Sequence, residues 1–154
     1  MANTYSQIYV QVVFAVYGRE NLIAREWKGE LYKFITGVVK NHGQKLLAIN
    51  GVSDHIHILL NIQPNIALSD LVRDIKANSS RWINEKRLVR GKFQWQEGFG
   101  AFSYSSSQID DVIDYIQKQE ERHGTLSFKE EYLRYLNKFK IDFDDKYVFE
   151  WMEA

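Results

Sequence analysis

The chain begins with alternating apolar and polar positions, a period of two that predicts a half-buried strand. Its apolar positions are Ile8, Val10, Val12, Phe14 and Val16. From about Arg25 to Asn41 the apolar residues recur at helical spacing instead. Residues 45–52 and 55–62 predict two more strands, and the short link Ser53-Asp54 between them indicates a hairpin.

The second half of the chain is dominated by helical patterns. An amphipathic helix is predicted from about Ser69 to Arg87, and a fourth strand at residues 101–105. Residues 107–110 read Ser-Gln-Ile-Asp, a capping-box pattern that predicts a third helix ending near His123. Ser127 opens a fourth helix in the same way. The apolar side of this last helix carries Phe128, Tyr132, Tyr135, Leu136 and Phe139.

The predicted order is strand, helix, strand, strand, helix, strand, followed by two helices. Because crossover connections are right-handed, this order most simply folds as a ferredoxin-like split β-α-β unit. We therefore expect an α+β fold with an antiparallel sheet and a C-terminal helical extension that carries Tyr115. The chain shows no internal repeat and no low-complexity linker, so a single domain over residues 1–154 is expected.

Composition narrows the class of protein. Apolar residues make up 45% of the 154 residues and the formal net charge is zero, so any nucleic-acid partner must be met by a local patch. There is no cysteine, which excludes disulfides and cysteine-ligated metal sites. The first residues lack the basic start of a signal peptide, and no stretch has the roughly 20 apolar residues of a membrane helix. A soluble, cytoplasmic protein is expected.

Two of the four histidines lie one residue apart in the third predicted strand, SDHIHILLNI. Side chains alternate along a strand, so His55 and His57 share one face while Ile56 and Ile58 share the other. The isoleucine face should pack on the two crossover helices. Two neutral imidazoles on one face are ready-made metal ligands that need a third group. The alternative is that both histidines merely decorate a solvated sheet face.

The third predicted helix carries a second set of candidate residues. At about 100° per residue, Tyr115 and Gln119 lie one above the other at the edge of an apolar stripe. A phenol and an amide at such an edge could face a shared pocket. The alternative is that both are ordinary surface residues of the helix.

Three segments, DHIHIL, FQWQEGFGAFSYS and IDDVIDYIQKQEERH, occur in this order. Together they resemble the single-tyrosine transposases of the HUH nuclease superfamily, of the insertion-sequence 200/605 type. The resemblance implies that His55, His57 and Gln119 bind a divalent cation, Mg²⁺ or Mn²⁺, and that Tyr115 is the nucleophile. Many members have two adjacent histidines after the glutamine, whereas this chain has Arg122 and His123, which leaves the role of His123 open.

The chemistry implied by the resemblance is transesterification of single-stranded DNA. Tyr115 would attack a phosphodiester to form a 5′-phosphotyrosine, and the released 3′ hydroxyl would allow rejoining. An ester replaces an ester, so no nucleotide cofactor is expected, in agreement with the absence of a phosphate-binding G-x-x-x-x-G-K-[ST] loop. The resemblance also implies recognition of hairpins at the ends of the element and a homodimer, with the tyrosine acting in its own subunit or in its partner.

Charge is unevenly distributed along the chain. Residues 73–92 hold seven basic and two acidic side chains, a net charge of +5, whereas residues 120–154 hold nine acids and six bases, a net charge of −3. Backbone phosphates are therefore expected along the first of these segments. The candidate DNA-binding residues are Arg73, Lys76, Arg87, Arg90, Lys92 and Trp95, with Trp95 stacking on unpaired bases. The alternative is a solvated charged face, with Trp95 in the core.

Two other classes of function stay open. One is a metal-dependent nuclease or phosphodiesterase that uses water and forms no covalent intermediate. The two-histidine phosphoesterases are a poor match, because they need two separated H-x-[ST] motifs. The other is a non-enzymatic nucleic-acid-binding module that stacks bases on sheet aromatics such as Tyr9. A domesticated relative that keeps the fold for another purpose is a further possibility.

Overall fold

A computed structural model describes residues 4–122 and 126–144. His123 and residues 145–154 of the acidic C-terminal segment lie outside the described residues. The strands are β1 (Tyr9–Ala15), β2 (Lys45–Val52), β3 (His55–Asn61) and β4 (Gly100–Tyr104). The helices are α1 (Arg25–Asn41), α2 (Leu68–Glu85), α3 (Ile109–Gln117), α4 (Gln119–Arg122) and α5 (Phe128–Lys138). No helix in these ranges is both long enough and apolar enough to cross a membrane.

The four strands form one antiparallel sheet in the order β2-β3-β1-β4. With α1 between β1 and β2, and α2 between β3 and β4, this is the ferredoxin-like arrangement that the sequence predicts. β3 is central, and Val13 of β1 lies opposite His57. Gly51 of β2 allows the β2–β3 hairpin to close tightly, because a Cβ atom there would lie 2.2 Å from the His55 carbonyl oxygen.

One face of the sheet forms the main core with α1 and α2. The apolar side chains of β3 on this face, Ile56, Ile58 and Leu60, are fully buried. They pack in one cluster with residues of both helices, such as Leu31 of α1 and Ile75 of α2. The prediction that the isoleucine face meets the two crossover helices is therefore confirmed.

The opposite face is also covered, and on β1 this cover is more complete than the period of two predicts. Gln11 on this second face is as inaccessible to water as Val12 on the first. The cover comes from α3, which packs on Leu59 and Ala48, and from α5, which packs on Val13 and Ala15. The polar residues of β1 and β3 on this face are consequently enclosed between the sheet and the C-terminal helices.

The third predicted helix differs from the expectation at both ends. The capping box is formed by Ser105 and Gln108. The Gln108 side chain accepts a hydrogen bond from the Ser105 backbone N–H at 3.0 Å. The helix then ends at Gln117 because Lys118 leaves the helical conformation, and α4 begins at Gln119. Tyr115 and Gln119 thus lie on two successive helical segments and not on one continuous helix.

The fourth predicted helix is confirmed. The Ser127 side chain caps α5 by accepting a hydrogen bond from the Glu130 backbone N–H at 3.2 Å. Most of its predicted apolar side is buried, but Glu131 is buried there as well.

Candidate active site

The two histidines lie on the enclosed face of β3, as their spacing predicts. Both side chains have no exposed surface, and their ring centroids are 5.2 Å apart. α5 covers them: the Phe128 ring lies 4.4 Å from that of His55, and the Tyr135 ring 6.1 Å from that of His57. The imidazoles are therefore buried groups with fixed neighbours, and the alternative of a solvated sheet face is wrong.

Both imidazoles meet the carboxylate of Glu131. Its Oε1 atom lies 3.0 Å from Nε2 of His57 and 3.3 Å from Nε2 of His55. Glu131 is 1% exposed, so this negative charge is stabilised by these contacts and not by water. Glu131 is not among the site residues predicted from the sequence. The signal that could have found it is its position, because it is a charged residue three positions after Phe128 within the apolar stripe of α5.

Tyr115 reaches the same carboxylate from α3. Its hydroxyl donates a hydrogen bond to Oε2 of Glu131, and its ring centroid lies 6.2 Å from that of His57. Burial, together with the hydrogen bond and negative charge of Glu131, raises the pKa of the Tyr115 phenol above its ordinary value. The phenol is therefore protonated near neutral pH, and the proton already points at an acceptor.

Gln119 completes the group from the start of α4. It is fully buried, and its Nε2 donates to Oε2 of Glu131 at 3.2 Å. Its Oε1 atom is buried and has no hydrogen-bond partner among the described residues. A buried amide oxygen without a donor is costly, and a cation would satisfy it.

These groups fit a divalent cation. The histidines and Glu131 offer three ligand atoms that all lie within 4.8 Å of one another, and Gln119 adds an amide oxygen. Neighbouring ligands of an octahedral Mg²⁺ ion with bonds of about 2.1 Å are about 3.0 Å apart. The spacing of the Glu131 oxygen from the two imidazole nitrogens, 3.0 and 3.3 Å, is close to that value.

Each imidazole also has a partner on its other nitrogen. Nδ1 of His55 lies 2.7 Å from Oδ1 of Asp54, and Nδ1 of His57 lies 2.9 Å from Nε2 of Gln11. Burial by itself would lower the pKa of His55, but the bonds and charges of Asp54 and Glu131 outweigh it and raise this pKa. Both rings are thus held with Nε2 towards Glu131.

A cavity of about 530 Å³ opens beside these side chains, between the sheet, α3 and α5. Tyr115 and Glu131 line it, together with Tyr104 and Tyr135. Arg134 and Lys138 of α5 also line it and are exposed. The phenol of Tyr115 can therefore be approached from solvent although the imidazoles cannot.

The predicted DNA-binding residues do not lie in this cavity. α2 packs on the opposite face of the sheet, where Arg73, Arg87, Arg90 and Lys92 are exposed. Arg73 is 3.2 Å from Asp70 in an exposed ion pair. The exposed basic flank is present, but it is separated from the histidines by the sheet.

Two of these candidates have structural environments instead. Trp95 is 8% exposed, its Nε1 donates to Oγ of Ser79 at 2.9 Å, and its ring packs on Phe14. Lys76 donates to the carbonyl oxygens of Gln96, at 2.8 Å, and Gly98, at 2.5 Å, and burial lowers its pKa to about 8. Trp95 is therefore a core residue, which corrects the expectation that it stacks on bases, and Lys76 supports the loop after α2.

The site thus combines a ferredoxin-like sheet, a buried H-x-H pair and a neighbouring tyrosine. Comparison with known proteins identifies the family to which this combination belongs. The family model described as "Transposase IS200 like" matches residues 4–119, well over half of the chain. The chain belongs to this family, which confirms the resemblance read from the three sequence segments. Membership supports a DNA-processing enzyme of a metal-dependent family, and the match ends before α5, which supplies Glu131.

Individual relatives are distant. The ISDra2 transposase TnpA of Deinococcus radiodurans is 21% identical over 121 residues, which are 75% of this chain and 86% of that protein. The crystal structure of a candidate transposase from Deinococcus radiodurans R1 superposes with a TM-score of 0.63 at 19% identity, covering 77% of this chain and 95% of that one. A REP-associated tyrosine transposase bound to a REP hairpin gives 0.61 at 16% identity, over 80% of this chain and 73% of that one. These similarities confirm the fold.

Proposed function

We propose that this chain cleaves and rejoins single-stranded DNA through a 5′-phosphotyrosine intermediate on Tyr115, as a transposase that recognises hairpins at the ends of its element. The observation that carries the proposal is the shared carboxylate of Glu131. One of its oxygens accepts the hydrogen bond of the Tyr115 phenol, and the other lies within 3.3 Å of both imidazole Nε2 atoms. The nucleophile and the candidate metal ligands are therefore parts of one site.

Tyr115 needs a proton acceptor, because its pKa is raised and a phenol is a weak nucleophile. Oε2 of Glu131 already accepts the phenolic hydrogen bond, so it is the group placed to take the proton. The Tyr115 oxygen then forms a bond to phosphorus while the bond from phosphorus to the 3′ oxygen breaks. The 3′ oxygen leaves and takes a proton from water to become a hydroxyl, and its later attack on a phosphotyrosine reverses these steps.

His55, His57 and Gln119 are the proposed ligands of a divalent cation, Mg²⁺ or Mn²⁺, and Glu131 adds a carboxylate ligand. Bound there, the cation would polarise the scissile phosphate and neutralise the charge that grows on it. The carboxylate oxygen of Glu131 and the amide oxygen of Gln119 are ligands that suit these ions. The transesterification conserves an ester bond, so no nucleotide cofactor is proposed.

The proposed partner is single-stranded DNA with a hairpin. A relative with the same fold has been seen bound to a REP hairpin, which supports this class of ligand. The basic flank formed by Arg73, Arg87, Arg90 and Lys92 is proposed to hold backbone phosphates of the stem, because these side chains are exposed. Lys76 and Trp95 are left out because of their structural contacts.

We also propose a homodimer, as the family resemblance implies. Tyr115 contacts Glu131 of its own chain and lies beside its own His57, and we propose on this basis that cleavage takes place within one subunit. The dimer would then serve to bring two DNA ends together and would not be needed to complete a site.

The test is incubation of the protein with single-stranded DNA from the ends of its element and Mn²⁺. A covalent protein–DNA adduct is expected with the wild type and with the control Tyr17→Phe, which removes the hydroxyl of an exposed tyrosine. Tyr115→Phe should form no adduct while keeping its fold. Cleavage that persists in Tyr115→Phe would favour the alternative of a nuclease that uses water, and binding without cleavage by the wild type would favour a non-enzymatic module.

A further inference from the structure

We propose that Gln11 of β1 is a positioning residue that holds the His57 imidazole in the orientation needed for metal binding. This inference rests on the proposed function, because it assumes that His57 binds a cation. Gln11 has no exposed surface, and its Nε2 lies 2.9 Å from Nδ1 of His57. It lies in the interior of the strand next to β3, two positions from the residue paired with His57.

The amide of Gln11 is itself fixed at both ends. Its Nε2 also donates to the Tyr135 hydroxyl at 3.0 Å, and its Oε1 accepts a hydrogen bond from the Tyr104 hydroxyl at 2.7 Å. These phenols come from α5 and β4, so three elements converge on a single side chain. Burying an amide costs free energy that an apolar side chain would not cost. Apolar side chains do pack further along the same face, where Val13 and Ala15 lie.

The arrangement of donors explains what Gln11 can do. A histidine that binds a cation through Nε2 must carry its proton on Nδ1, and Nδ1–H then needs an acceptor. If the Gln11 amide turns by 180°, its Oε1 faces Nδ1 and its Nε2 faces the Tyr104 hydroxyl. Each tyrosine hydroxyl can donate or accept, so the three partners stay satisfied in both orientations. Gln11 can therefore hold the same ring before and after the proton moves.

His55 shows the same design with a different residue. Its Nδ1 lies 2.7 Å from Asp54, while its Nε2, like that of His57, faces Oε1 of Glu131. Both imidazoles thus have one nitrogen held by a polar partner and the other turned towards the candidate cation site. A role in positioning a ligand accounts for this parallel, whereas filling space in the core does not.

The test measures Mn²⁺ affinity by electron paramagnetic resonance of the free ion, at one pH and without DNA. Gln11→Met keeps the length of the side chain but removes both hydrogen-bonding atoms, and we expect it to weaken Mn²⁺ binding about 10- to 100-fold. Gln11→Glu can accept from Nδ1–H and from both tyrosines, so it should bind Mn²⁺ at least as tightly as the wild type. The matched control is Gln44→Met, since Gln44 is a buried glutamine at the far end of the sheet.

Affinity unchanged within twofold in a folded Gln11→Met would overturn the inference, and so would an equal loss in Gln11→Glu, because a merely structural amide would make both variants weak. If Gln11→Met fails to fold, the comparison of Gln11→Glu with the wild type decides by itself. The proposed function fails in a different way. In that case the wild type would not bind Mn²⁺, or His57→Ala would bind it as well as the wild type does.

Discussion

The substitution Glu131→Gln tests the most informative residue of the site, because it keeps the size of the side chain and removes its charge. Glu131 is 1% exposed and accepts the phenolic hydrogen bond of Tyr115. The amide oxygen of a glutamine can still accept the phenolic hydrogen bond, but an amide cannot take the proton. Losing a general base typically slows a reaction about 10²- to 10⁴-fold, which is the loss expected here.

The assay is the rate of covalent adduct formation on single-stranded DNA, followed at increasing Mn²⁺ concentration. Glu131→Gln should also weaken Mn²⁺ binding, because a carboxylate ligand is lost, so the rate at saturating Mn²⁺ isolates the effect on Tyr115. The matched control is Glu130→Gln. It makes the same charge change one residue earlier, at an exposed position of α5, and should change the rate less than twofold. A saturated rate for Glu131→Gln within threefold of the wild type would refute the role of the carboxylate.

Three further predictions concern stability and DNA binding. Ser79→Ala should destabilise the protein by about 1–3 kcal/mol in chemical denaturation without changing DNA affinity, because it leaves the buried Nε1–H of Trp95 without its acceptor. Arg90→Ala should reduce the magnitude of the slope of log affinity against log salt for hairpin DNA by about 1. Lys76→Met should instead lower the free energy of unfolding, because Lys76 holds the loop after α2. Burial raises the pKa of Tyr132 to about 12, against about 10 in an unfolded chain, so stability present below pH 10 should be lost as the pH rises towards 12, and Tyr132→Phe should reduce that loss.

Each of these predictions has an opposing result. Weaker DNA binding by a fully stable Ser79→Ala would return Trp95 to the DNA surface. An unchanged salt slope in Arg90→Ala would remove that residue from the phosphate contacts. For Tyr132→Phe, an unfolding free energy that falls as steeply above pH 10 as in the wild type would mean that other buried phenols dominate the alkaline transition.

Those parts of the fold that depend on the local pattern of apolar and polar residues could be predicted from the sequence. The period of two places His55 and His57 on one strand face, because alternation along a strand leaves no other choice. The order of strands and helices predicted the sheet, because right-handed crossovers leave few topologies. The H-x-H pair became informative through its combination with Tyr115 and Gln119, since each motif by itself has an ordinary structural explanation.

The parts that depend on distant contacts were not predictable. Gln11 follows the alternation of a half-exposed strand, and its buried amide is held by Tyr104 of β4 and Tyr135 of α5, both more than 90 residues away along the chain. The helix break at Lys118 has no glycine or proline to signal it. It accompanies two tertiary contacts, the buried amide of Gln119 and the ion pair of Glu120 with Lys28 of α1.

Trp95 shows why the predicted DNA surface was partly wrong. Phe93 and Trp95 alternate with Lys92, Gln94 and Gln96, a pattern equally consistent with aromatics that stack on bases and with aromatics that face the core. The structure places both rings in the core, where they pack edge-to-face at 4.9 Å. Only the tertiary environment distinguishes these two possibilities.

In the proposed reaction, the phenol oxygen of Tyr115 forms the covalent bond to DNA. The most direct measurement is mass spectrometry of the protein–DNA adduct after digestion with protease and nuclease, using wild-type protein, Mn²⁺ and single-stranded DNA from an element end. We expect a nucleotide joined through its 5′ phosphate to the peptide that contains Tyr115. A nucleotide attached to any other residue, or cleaved DNA with a 5′ phosphate and no modified peptide, would contradict the proposed reaction.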